Sequence, residues 1–147
     1  MFQRLLVPVD GSDLSDRAMT VSIELARRLG AAIVGFVVEP LMPVPSAPRP
    51  QALLEDRVRE HDAMTEAHAR SILTRFEARA RDAGVAFDGH HDQAPNVDQA
   101  IVDAADARGC DLIVMVTHGR GMFGELLLGS HTKSVMAATK LPLLILR

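Results

Sequence analysis

The run AAIVGFVV, residues 31–38, contains no polar side chain. A strand covered on one face alternates apolar and polar residues, whereas an unbroken apolar run suits a strand buried on both faces of a parallel sheet. Three further short apolar runs match it, RLLVPV (4–9), DLIVMV (111–116) and LPLLIL (141–146), and VAFDGHH (85–91) reads as another strand.

Between these runs the apolar period changes from strand-like to helical. After DGSD (10–13), Leu14, Ala18, Val21, Leu25 and Leu29 recur at spacings of four, three, four and four, the stripe of an amphipathic helix. Ser12 or Asp13 can cap its start and Gly30 its end. A long helical segment covers 51–83 and closes at Gly84; another begins near Asn96 and ends at Gly109. Ser130 is placed to cap a short helix reaching about Thr139. Residues 39–50 hold five of the eight prolines and read as a loop, because too little chain precedes them to close a core.

Alternation of buried strands with helices predicts an α/β fold: one domain over 1–147, a doubly wound five-stranded parallel sheet with helices on both faces and right-handed crossovers. Ligands in such sheets bind beyond the carboxyl ends of the strands, where the strand order reverses. The loops after the first and fourth strands, DGSD and the glycine-rich stretch at 117–130, are therefore the candidate site.

Composition narrows the functional classes. The 147 residues carry a formal net charge of -3, no Trp or Tyr, and five Phe, so neither a general attraction for nucleic acid nor a base-stacking surface is expected. No apolar run is long enough to span a membrane. The single cysteine, Cys110, rules out an intrachain disulfide and fits a reducing, cytoplasmic setting.

The glycine-rich stretch VMVTHGRGMFGELLLGS (114–130) contains GRGMFG (119–124), a match to the dinucleotide fingerprint, and the pair Gly124 and Gly129 with P-loop spacing. Both readings fail. A P-loop needs Lys directly after its second glycine, and Gly129 is followed by Ser130 and His131. The dinucleotide fingerprint belongs in the first strand-helix turn with an acid some 20 residues on; this one follows the fourth strand, and no Asp or Glu occurs after Glu125. What remains is a helix start at which Gly129 admits a ligand to backbone N–H groups and the positive end of the helix dipole. Taken alone, such a start is more often a plain cap.

Here the chain resembles the universal stress protein family over essentially its whole length. The family signature is G-x-x-G, nine residues, then G-[S/T]. Gly119 supplies the second glycine, residues 120–128 the nine, and Gly129-Ser130 the end; LLVPVDGS (5–12), APNVDQAI (94–101) and KLPLLILR (140–147) resemble other hallmarks. The first signature glycine is replaced by Val116, a β-branched residue that narrows the backbone's choices and brings two methyl groups to the site.

The resemblance implies an adenine-nucleotide alpha-hydrolase-like fold and a site for ATP, with Mg2+ accompanying the nucleotide. Asp10 and Val37 would hold adenine and ribose, Met115 and Val116 would line the floor, and Gly119, Gly129, Ser130 and His131 would surround the phosphates. Arg120 could clamp phosphate or lie in solvent. No catalytic residue and no protein-held metal site are expected, so any hydrolysis would be slow. The resemblance also implies a homodimer paired through the last strand, whose apolar edge would otherwise stay open. The function so indicated is a dimeric ATP-binding regulatory module in stress response. The alternatives are a nucleotide-free interaction module whose pocket Val116 has narrowed, or a slow ATP hydrolase or nucleotidyl transferase. Adjacent His90 and His91 point to opposite faces and are not expected to share a metal; His61 and His68 are expected on a solvated or dimer-forming face of the long helix.

Overall fold

A computed structural model of the chain describes residues 1–43, 46, 50–117 and 129–147. Its elements are β1 (Arg4–Pro8), α1 (Asp13–Leu29), β2 (Ala32–Pro40), α2 (Gln51–Asp82), β3 (Phe87–Ala94), α3 (Val97–Ala107), β4 (Leu112–Val116), α4 (Ser130–Ala138) and β5 (Leu143–Leu146). The five strands form one parallel sheet in the order β3-β2-β1-β4-β5. The chain winds outward from β1 to β3, then returns to the other side of β1 at β4. The reversal therefore lies between β1 and β4, and the two loops singled out above leave adjacent strand ends.

Burial on both faces is the physical basis of this arrangement. Leu5, Val7, Ile33, Val37 and Val114 face α1 and α2 in one apolar cluster. Leu6, Val34, Phe36, Ile113 and Met115 face α3 and α4 in the other. Leu5, Leu6, Val7, Ile33, Val34, Ile113 and Val114 have no accessible surface, so the middle of the sheet has no wet face.

Boundaries differ where pairing outranks composition. β2 continues to Pro40 and β3 to Ala94, because Glu39 pairs with Gln93 and Pro40 with Ala94. β3 starts later than the apolar residues suggest: Val85 lies in the turn that closes α2, its N–H donating to the Ala80 carbonyl at 2.9 Å. Ser12, not Asp13, caps α1, its hydroxyl accepting the Ser15 N–H at 3.4 Å. The N-cap of α4 is Gly129, with Ser130 the first helical residue and no side-chain cap bond.

Gly35 is required by packing. A Cβ there would lie 2.5 Å from Phe87 Cζ and 3.2 Å from Phe76 Cδ1, and these two rings pack with centroids 4.9 Å apart and planes tilted by 55°, joining α2 to β3. Gly35→Ala must displace the ring pair, so a loss of about 1–3 kcal/mol is expected in urea unfolding. An unchanged midpoint would show that the rings move aside freely.

Candidate functional site

β1 ends in a turn held by its own side chains. Asp10 Oδ1 accepts the Ser12 N–H at 3.0 Å and the Ser15 hydroxyl at 2.7 Å. Ser15 Oγ in turn accepts the Asp10 N–H at 2.7 Å and the Gly11 N–H at 3.2 Å. Gly11 takes φ +83°, the left-handed region, and a Cβ there would sit 3.0 Å from Ile72 Cδ1 and 3.4 Å from His68 Nε2 of α2. A side chain would thus meet backbone strain and a crowded neighbour together. Asp10 is exposed and fixed in orientation, so the turn presents a carboxylate at the mouth of the reversal.

Partial burial raises the Asp10 pKa, but the bonds from Ser12 and Ser15 outweigh it and hold the carboxyl below its ordinary value of 3.8. The sequence gives no direct indication of Ser15, the hub of this turn. The usable signal is positional: Ser15, Ala18, Ser22 and Ala26 are all buried on the inner face of α1, where a serine must find a local partner.

Val37 is 1% exposed and Met115 7% exposed, and they lie in opposite clusters. Val37 can therefore meet a ligand only through its main chain. Val116 is partly buried against the α1/α2 cluster, on the face opposite Met115. The two do not form a continuous floor with their side chains; a ligand across the strand ends meets the main chain of one of them. Next to them Thr117 is buried, its N–H donating to the Leu146 carbonyl at 2.9 Å. Gly119 and Arg120 lie outside the described residues.

Gly129 and α4 form the opposite rim. The first helical bond runs from the Lys133 N–H to the Gly129 carbonyl at 3.1 Å, so the N–H groups of Ser130, His131 and Thr132 precede any intrahelical acceptor. Gly129 has φ -55° and ψ 153°, a conformation open to any residue, and among the described residues nothing lies within 4 Å of where its Cβ would be. His131 does not stand free over this turn: its Nδ1 lies 2.6 Å from Asp98 Oδ1 in the first turn of α3. This pair ties the starts of two helices on the same face of the sheet.

Histidines of α2 and β3 occupy the other flank. His68 Nδ1 is 2.9 Å from Glu39 Oε1, and His91 Nε2 is 3.4 Å from Glu39 Oε2. His68 is therefore bound to the end of β2 rather than lying on a purely solvated face. His90 turns the other way to Asp88, at 3.0 Å. Among the described residues no group of three or more His, Cys, Asp or Glu side chains is arranged to hold a metal ion. Burial pushes the Cys110 thiol up to about 11.

This geometry, a crevice between the ends of β1 and β4 with an oriented acid on one rim and a helix start on the other, is the topological switch point of a doubly wound α/β fold. The universal stress protein family model matches residues 1–147. A universal stress protein of Thermus aquaticus, the one in the QAH/OAS sulfhydrylase 3'region, is 33% identical over 151 residues covering 100% of both chains. The chain belongs to the universal stress protein family. Universal stress protein UspA from Lactobacillus plantarum superposes with a TM-score of 0.80 at 23% identity, over 99% of this chain and 98% of that one. A universal stress protein solved in complex with cAMP gives 0.69 at 24% identity, over 99% and 97%.

Because the folded pKa of Asp10 lies below 3.8, its stabilising effect is present above that pH and fades as pH falls through the folded value. Asp10→Asn should therefore lower stability near neutrality, and the gap from the native protein should close as the pH drops below about 4. Chemical unfolding from pH 7 to 3 checks this; a gap that is constant across the range would remove the carboxylate from the account.

Proposed function

We propose that the chain is a regulatory module that binds ATP, with Mg2+ arriving on the nucleotide, in the crevice between β1 and β4. The observation that carries this reading is Gly129. Its φ of -55° and the open space at its Cβ position mean that the described structure itself places no demand for glycine there. A phosphate group at the start of α4 would need that space, accepting from the N–H groups of Ser130, His131 and Thr132 in the positive field of the helix. The cAMP complex of a protein with the same fold supports an adenine nucleotide as the ligand class.

The proposed roles follow from placement. The main chain of Val37 and the Asp10 carboxylate recognise base and sugar, and Met115 and Val116 border them at the end of β4. Gly129, Ser130 and His131 receive the phosphates, together with Gly119 and Arg120 from the intervening segment. The phosphate grip carries no P-loop lysine after Gly129, so turnover is slow and occupancy is the signal. We place this module in the cytoplasm; no helix among the described residues is long and apolar enough to cross a membrane.

Calorimetric titration of nucleotide-stripped protein with Mg-ATP is the test. Saturable binding is expected in the native chain and loss of it in Gly129→Val, with the unfolding free energy changed by no more than about 0.5 kcal/mol, as for a surface site. Absence of binding in the native chain, with recovery in Val116→Gly, would instead establish the nucleotide-free interaction module.

The second element of the proposal is a homodimer through β5. Among the described residues this strand pairs only with β4, and all four of its residues, LLIL, are partly exposed. Leu143, Leu144 and Leu146 contact the two apolar clusters, whereas Ile145 belongs to neither. Ile145→Lys should therefore preserve the protomer and shift sedimentation from dimer to monomer. A native chain that sediments as a monomer would overturn this element alone.

A further inference from the structure

The opposite edge of the sheet is also open, and its chemistry is different. Among the described residues β3 pairs only with β2. The Ile33 N–H donates to the Ala86 carbonyl at 2.8 Å, and Ile33 is in register with Phe87. Parallel pairing then turns the N–H and C=O groups of Asp88, His90 and Asp92 toward β2, and those of Phe87, Gly89 and His91 outward. The next outward N–H, that of Gln93, is taken by Asp92 Oδ1 at 2.8 Å. The open edge is thus short and centred on Gly89, which has no side chain to hold another backbone away.

A helix overhangs each side of this edge. Between α2 and β3 lies a groove of about 770 Å³ whose walls include Asp62, Glu66, Arg70, Glu77 and Asp92. Between α3 and β3 lies one of about 410 Å³, with Phe36, Ala100, Ala104 and Ala107 among its lining residues. A strand added beside β3, roughly 4.8 Å away, would send alternate side chains into the two grooves. The α2 groove is acidic: Arg70 is engaged with Glu66, whereas Asp62 and Glu77 have no basic partner among the described residues; Asp92 borders both grooves. The α3 groove joins a wall of alanines to polar residues, Asp92, Asn96, Asp103 and Arg108 among them.

We propose that the β3 edge is a docking site for an extended polypeptide segment of a partner protein, in which Lys or Arg alternates with small aliphatic residues. The segment adds to the sheet as a sixth strand. Its main chain bonds to Gly89 and His91, its basic side chains enter the acidic groove under α2, and its aliphatic ones lie against the alanines of α3. A second copy of β3 does not fit this description, because FDGHHDQA carries no Lys or Arg to enter the acidic groove.

The probe is a labelled, end-blocked heptapeptide, Lys-Val-Lys-Val-Lys-Val-Lys, followed by fluorescence anisotropy and amide hydrogen exchange on the full chain. Saturable binding with one peptide per chain is expected, with slowed exchange at Gly89 and His91 and no binding of the Glu-Val counterpart. The double variant Asp62→Asn/Glu77→Gln keeps side-chain shape and should weaken binding at least tenfold. Gly89→Pro removes an outward N–H and should weaken it comparably, but its added carbon meets the Phe87 ring at 3.1 Å, so should that variant misfold the amide pair decides. Equal binding of the Glu-Val peptide, undiminished binding by the amide variant, or unchanged exchange at Gly89 and His91 would overturn the proposal. So would self-association of the chain through β3.

Discussion

Everything in this molecule depends on the fact that β1 cannot face water. Leu5, Leu6 and Val7 are completely inaccessible, so both faces of the central strand need a helical cover. Right-handed crossovers then carry the chain one way through β2 and β3, and the remaining strands must be laid on the other side. The gap between the turns that leave β1 and β4 is the geometric result of that reversal. A crevice thus arises from burial before any side chain is chosen to line it.

The side chains that do serve it combine local and long-range order. The interlock of Asp10 with Ser15 is local: four short bonds within six residues orient a carboxylate and fix the entry to α1. Gly11 then presses that turn against Ile72 and His68, some 60 residues away in sequence. On the other rim, His131 and Asp98 link two helix starts that belong to separate crossovers. The crevice is held by contacts from α1, α2, α3 and α4, which places its two rims on a common rigid support.

The strand-helix alternation, and with it the reversal, was readable in the residues because periodicity reports burial directly. AAIVGFVV is legible as a doubly buried strand since nothing in it tolerates water. β3 was only partly legible: FDGHHDQA has the composition of an edge, and its extent is set by hydrogen bonds to β2 that no local pattern encodes. The same limit applies at the site. Glycines and the acid after β1 stood out as residue types, whereas the burial of Val37 and the opposed directions of Met115 and Val116 follow from which face each residue takes once the register is fixed. The pairing of His131 with Asp98 joins residues 33 apart and has no signature in either neighbourhood. The Ser130 hydroxyl suits an N-cap, but the chain begins the helix one residue earlier, with Gly129 as the cap.

Cys110 closes the turn between α3 and β4 and is the only sulfhydryl in the chain. It is 6% exposed, and burial pushes its pKa up to about 11. At neutral pH the reactive anion is present in on the order of one molecule in ten thousand. The thiolate is the species that attacks peroxides and disulfides, so burial makes Cys110 a poor nucleophile toward both while the chain is folded. The sulfur serves instead as an apolar filler of the α3/α4 cluster, and oxidising it would first require that turn to open.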